Sequence, residues 1–156
     1  MRRLTKIACL AATALTATSA LAQDQSPEQT ALEIRQGHML NYAANLGVVG
    51  GMARGDREYD AAAAQVAADN LLHLASINQS YYWPEGTSNA DMEESRALPA
   101  IWENMADFDA KQETLLQAVT ALQAAAGTDL ATLQGAMGAV GQSCGGCHED
   151  YRESDE

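Results

Sequence analysis

Residues 141–152 read GQSCGGCHEDYR and crowd Cys144, Cys147 and His148 into five positions. Two thiols three residues apart, followed at once by an imidazole, suit three chemistries: a metal site, a redox disulfide or a covalently attached haem. A structural zinc site wants four ligands, generally from two ligand pairs. The other histidines, His38 and His73, bring no such pair. A thioredoxin-like dithiol sits where a strand runs into a helix, and no stretch of this chain alternates with a strand's two-residue period. Haem attachment remains. Cysteines at i and i+3 lie along one edge of a helix, where each can add to a haem vinyl group. His148, turned about 100° further round, reaches the iron through its neutral imidazole, with its other N–H left for an outer acceptor.

The elements that must carry this motif begin after a leader. Arg2, Arg3 and Lys6 precede a short apolar run that ends in Ala20–Leu21–Ala22, a small-x-small cleavage site, the layout of a cleaved secretory signal over residues 1–22. The run is too short and Thr-rich to span a bilayer, and Lys6 argues against lipid attachment at Cys9. The mature chain is then 23–156, 134 of the 156 residues, which makes one domain. No later segment is apolar enough for membrane insertion, so the expected product is soluble and exported, periplasmic in a bacterium. Cleavage takes three of the nine basic residues and none of the 21 acidic ones, leaving a formal charge of −15. Such a surface repels nucleic acid and anionic lipid and favours basic partners. Both remaining cysteines are in the motif, which excludes a disulfide framework.

Four helical stretches follow, punctuated by Gly and Pro. In the first, about 27–53, Leu32, Met39, Leu46 and Ala53 recur every seven residues, with Arg35, Tyr42 and Val49 offset by three, an inward seam. A second helix is expected over 58–79 with Leu71, Leu72, Leu74 and Ile77, followed by a long loop through Pro84 and Gly86. A third starts at Pro99 and turns Ile101, Trp102, Met105, Phe108, Leu115, Val119 and Leu122 inward. After Gly127, Thr128 or Asp129 caps a fourth, whose Leu130, Leu133, Met137, Val140, Cys144, Cys147 and Tyr151 alternate in steps of three and four. The expected architecture is all-α: an antiparallel up-down four-helix bundle with covalently bound haem c. The fourth helix also carries Gly135, Gly138, Gly141, Gly145 and Gly146, each costing about 1 kcal/mol against Ala. Beside the cysteines, that cost reads as room for something large and flat against the backbone.

A single CxxCH near the C-terminus resembles the cytochrome c′ family, and further matches span residues 35 to 152. They are RQGHM with Arg35, Gln36 and Met39, the Tyr59–Asp60 pair, WPEGTS, PAIW, and Arg152 four residues beyond the histidine. The resemblance implies a haem near one end of the bundle and divides function at the sixth ligand. High-spin relatives leave the iron five-coordinate and bind nitric oxide or carbon monoxide. Low-spin relatives ligate it with methionine and carry electrons. Met39 occupies that position, either as ligand or as a flexible residue packed over the distal face. His/Met coordination is usual in electron-transfer cytochromes, which favours ligation and makes the chain a carrier rather than an enzyme. His38 is expected to face solvent or the helix boundary, and His73 to be uncoordinated.

Arg35 is a candidate for pairing with a haem propionate, and Gln36 is carried over by the resemblance alone. Thr87 and Arg96 are further candidates for propionate contact. Arg152, one turn past His148, either shields the proximal side or answers the helix dipole. The tail carboxylates Glu149, Asp150, Glu153, Asp155 and Glu156 should favour ferric iron. With Lys111 the sole lysine of the mature chain, the expected redox partner has a basic docking patch. Monomer and homodimer both remain open.

Overall fold

The computed structural model describes residues 25–154, so the leader read over 1–22 and the tail residues Asp155 and Glu156 lie outside the described residues. Helix α1, Pro27–Arg54, starts where the Ser26 hydroxyl accepts the Gln29 amide at 3.1 Å and ends at Gly55, whose φ of 80° gives the left-handed turn that glycine tolerates. Helix α2 is Ala61–Ala75, shorter at both ends than the expected 58–79. Asp60 caps it by accepting the Ala63 amide at 3.0 Å, which leaves Glu58 and Tyr59 outside. At the far end the Ser76 hydroxyl bonds back to the Leu72 carbonyl at 2.7 Å, and Asn78 takes the Ser80 amide at 2.9 Å. Short polar side chains that bond local backbone in this way compete with helix continuation.

The expected third helix is two pieces, α3 (Ala100–Glu103) and α4 (Met105–Ala125). Asn104 breaks it at φ −141°, ψ 56°, while its carbonyl accepts the Asp107 and Phe108 amides at 3.2 and 3.1 Å and so restarts the helix. Helix α5, Leu130–Tyr151, opens on Asp129, which takes the Thr132 amide at 2.8 Å. Among the described residues no strand forms, apart from one antiparallel bridge between Ala97 and Arg152.

Helix α1 packs against α2 and α5, α2 against α4, and α4 against α5, closing a ring of four with α3 tucked against α4 and α5. Neighbours run antiparallel. Along α2 and α4, the Tyr59 hydroxyl donates to the Ala126 carbonyl at 2.9 Å and Gln65 to the Gln123 carbonyl at 3.1 Å. Along α4 and α5, Asp107 meets Tyr151, and Lys111 meets Asp150 at 2.8 Å. Two apolar clusters fill the ring. The larger contains Tyr42, Val49, Met52, Leu71, Val119, Leu122, Leu133 and Val140. The smaller, around Ile101, Phe108 and Tyr151, takes in Trp83, Trp102 and Met105.

The Tyr59 hydroxyl satisfies a carbonyl at the end of α4 that has no helical amide to receive. Tyr59→Phe should therefore cost about 1 kcal/mol of unfolding free energy in urea melts of the haem-loaded protein, with its visible spectrum unchanged. A spectral change would mean that this end of the bundle is not independent of the motif end.

Candidate haem-attachment site

Helix α5 brings Cys144 to the edge of the larger cluster and Cys147 to the edge of the smaller one, so the motif bridges the two. Both thiols are half-buried and unpaired, and burial pushes their pKa values up. His148 is half-buried too. Burial, then the nearby charges of Arg152 and Arg96, hold its pKa below the ordinary imidazole value and favour the neutral form that binds iron. Around the α5 barrel, at about 100° per residue, Gly138, Gly141, Gly145, His148 and Arg152 fall within about 80° of one another. Gly135 and Gly146 lie on another side. A Cβ built on any of these five glycines meets nothing within 4 Å. Three of the five thus form an open face running up to His148.

Helix α1 supplies the opposite wall. Gln134 donates to the Ala53 carbonyl at 2.8 Å, and a Cβ at Gly50 would stand 3.8 Å from the Met137 methyl. Tyr42 feels the charge of Cys144. The two helices run past one another in antiparallel register. Three residues back along α1 and four forward along α5, that register brings Met39 to the level of His148.

The Met39 side chain stands on the flank of the seam, 41% exposed, rather than packed within it. Its neighbour His38 corrects the expectation of a solvent-facing residue: it is 5% exposed, with its ring edge-on to Tyr42 at 4.9 Å and to Tyr82 at 5.6 Å. The loop residue Tyr82, which has no helical period to announce it, covers His38 from outside α1. The Tyr42 hydroxyl, buried beside Cys144, has no hydrogen-bond partner, nor does the Trp83 indole N–H in the smaller cluster. Burial is the main cause of the upward shift of the Tyr42 phenol. His73 is exposed.

Arg35 and Thr87 come together in the interior. The buried Arg35 guanidinium donates from one terminal nitrogen to the Tyr82 carbonyl (3.2 Å) and the Thr87 hydroxyl (2.7 Å). From the other it donates to the Thr87 carbonyl and the Ser95 hydroxyl. The Thr87 hydroxyl itself donates to the Pro84 carbonyl at 2.8 Å. Thr87 is wholly buried, and its partners within the protein are Arg35, Pro84 and Ser95. Gln36 is exposed and donates to the Glu94 carbonyl at 2.9 Å. Arg96 donates to the Glu153 carbonyl at 2.5 Å, next to Arg152 at the end of α5.

Ser95 gave no sequence signal, because an isolated serine in a loop has none. Nor did the network in which Lys111 pairs with Asp150 while Asp107 accepts the Tyr151 hydroxyl at 2.7 Å. That hydrogen bond, together with burial, pushes the Tyr151 phenol up to about 12.

Two thiols on one helix edge, a neutral imidazole, an open glycine face and two buried donors without acceptors suit a haem. They do not suit a metal ion: among the described residues no three His, Cys, Asp or Glu side chains converge as a metal cage. The class defined is a four-helix-bundle c-type cytochrome. The family model for Cytochrome C′ matches residues 30–152. Cytochrome c-554 of Cereibacter sphaeroides is 48% identical over 141 residues, covering 90% of this chain and 92% of the relative. Cytochrome c′ of the same organism is 37% identical over 92% and 95%. Of solved structures, cytochrome c′ from Rhodobacter Spheriodes matches with a TM-score of 0.80 at 36% identity, covering 82% of this chain and 98% of that one. The chain belongs to the cytochrome c′ family and carries covalent haem c. Mutant forms of cytochrome c prime from Alcaligenes xylosoxidans have been solved with nitric oxide and with carbon monoxide bound, and another cytochrome c′ shows ligand-controlled dimer dissociation.

Gly135→Ala, off the His148 face, should stabilise the haem-loaded protein by about 1 kcal/mol in urea melts. Gly141→Ala, one turn before Cys144 on that face, should gain less, because its methyl meets the haem. Equal gains would leave the glycine face without a role.

Proposed function

We propose that this is an exported monohaem electron carrier whose iron is held by His148 and Met39. The observation that carries the reading is the α1/α5 register, which sets the two side chains at one level on facing helices. In this reading Cys144 and Cys147 tether the cofactor through thioethers, and His148 ligates from α5. Met39, free at the flank of its seam, turns in from α1. The bound haem supplies a one-electron iron couple. A thioether from Met39 would favour the reduced state, and holding the iron by two fixed side chains would keep reorganisation on electron exchange small.

Arg152 and Arg96 place positive charge near His148. With its four terminal donors spent on the loop, Arg35 has only its Nε–H left for a propionate. Gln36 sits one residue on, at the exposed edge. Residues 1–22 act as a cleaved export signal, and the mature chain 23–156 works in the periplasm. No helix among the described residues is long and apolar enough to cross a membrane.

A second reading is a five-coordinate, gas-binding protein. It draws on the unpartnered Tyr42 hydroxyl, one turn from Met39, and on the relatives solved with nitric oxide and carbon monoxide. Absorption and EPR of the ferric protein separate the two. Low-spin iron with a sulfur-to-iron charge-transfer band is expected, and Met39→Leu should convert it to high-spin iron whose ferrous form takes up carbon monoxide readily. A high-spin ferric wild type would decide for the gas-binding reading.

Lys111 is engaged with Asp150 and Asp107, so it offers no free docking charge, and the acidic surface should steer a redox partner with a basic patch. The second-order rate of electron transfer with that partner should fall steeply between low and physiological ionic strength. A rate indifferent to salt would overturn the docking model.

A further inference from the structure

The notable feature outside the ligand set is a buried guanidinium tied to a single loop. Arg35 is 4% exposed, and no carboxylate of the described residues pairs with it. Its charge is met instead by the carbonyls and hydroxyls of one segment, and by the face of Trp83, whose ring centroid lies 5.1 Å from the guanidinium carbon. All four terminal donors end on residues 82–95. Ser95 passes the connection on: its hydroxyl donates to the Thr87 carbonyl at 2.8 Å and accepts the Ala97 amide at 3.3 Å. The next residues leave the loop for the end of α5. The Leu98 amide donates to the Tyr151 carbonyl at 3.0 Å, the Glu153 amide to the Arg96 carbonyl at 2.8 Å, and the Arg96 side chain to the Glu153 carbonyl. The Arg152 amide, in turn, bonds to the carbonyl of His148 at 3.1 Å.

Hydrogen bonds joined by short stretches of backbone therefore connect α1, one turn from Met39, through the loop to α5, one turn from His148. We infer that Arg35 is a positioning residue: through the 82–98 loop it straps α1 to the C-terminal end of α5 and so sets whether Met39 stays within reach of the iron that His148 holds. The strap does not touch the reacting atom. A buried guanidinium held in four directions is stiff, because any displacement leaves N–H donors or carbonyls without partners in a site that water does not reach. The spin-state consequence rests on the His148/Met39 reading, whereas the strap itself does not.

Arg35 variants risk failing to assemble, so the test is made from the acceptor side in the haem-loaded protein. Thr87→Val keeps shape and carbonyl but removes the hydroxyl that Arg35 and Pro84 share; Thr87→Ser keeps it. In Thr87→Val, amide exchange at Leu98 and Glu153 should speed up roughly tenfold, with core amides of α2 and α4 unchanged. The ratio of high-spin to low-spin ferric iron should rise by a similar factor, as expected for losing one charge-assisted hydrogen bond. Thr87→Ser should restore both. Unchanged exchange at Leu98 and Glu153 overturns the strap. Faster exchange without a spin change, in a low-spin wild type, overturns its link to Met39. Should the wild type be high-spin, the Met39 reading fails separately, and the strap is judged by exchange and by the iron–histidine stretching band of the ferrous protein, which Thr87→Val should shift.

Discussion

The antiparallel pairing of α1 with α5 is the constraint on which the rest of the molecule depends. A haem tethered at Cys144 and Cys147 is fixed to α5, so whatever stands over its free face is decided by which turn of α1 passes at that height. The contacts of Ala53 with Gln134 and of Gly50 with Met137 set this height at the far end of the pair. A shift of one α1 turn, about 5.4 Å, would carry Met39 away from the level of His148 and bring Arg35 or Tyr42 there instead. Ring closure through α2 and α4 holds the pair in place, because sliding α1 would drag Val49 and Met52 out of the larger cluster.

Four helices, their antiparallel order and the inward residues of α5 were legible because each follows from a 3.6-residue period written over many turns. The caps at Asp60 and Asp129 and the stop at Gly55 obey local backbone chemistry and sit close to where the residue types suggest. What escaped was non-local. Asn104 divides a stretch whose apolar pattern continues unbroken from Ile101 to Phe108, and periodicity alone does not register a residue that changes backbone region without changing the pattern. His38 is covered because Tyr82, more than forty residues away, presents an edge to it. The seven-residue spacing placed Met39 on the seam, but at about 40° beyond Arg35 it lies toward the flank, where the Leu32 and Leu46 positions differ in how far they are covered.

Arg35 shows the same limit more sharply. Its place on an apolar seam marked it as a buried cation, and a buried cation calls for an anion. The partners that the protein itself supplies are dipoles: two carbonyls, two hydroxyls and an indole face, every one from a loop with no regular structure. That answer cannot be read from spacing, because Tyr82, Thr87 and Ser95 converge only after the loop has closed. It also explains why so long a segment is ordered. A loop of this length ordinarily has no core of its own to fix it, but here Tyr82, Thr87 and Ser95 place backbone or hydroxyl oxygens against one charge whose N–H donors would otherwise be buried without partners.

Charge completes the link between fold and role. The chain is strongly acidic, and Lys111 is drawn into a network at the surface in which Asp150 and Asp107 approach it from two helices. That network lies beside Cys147, whose thiol feels the positive charge of Lys111 and the negative charges of Asp150 and Asp107. On the other side of the motif, Arg96 and Arg152 approach His148. The motif end therefore keeps its few cations close to the attachment residues and leaves Glu149 and Glu153 exposed around them. Positive charge next to the motif offsets the pull of the surrounding carboxylates toward ferric iron, while the outer surface stays negative. The same exposed carboxylates and arginines therefore shape both the field at the motif and the field beyond the surface.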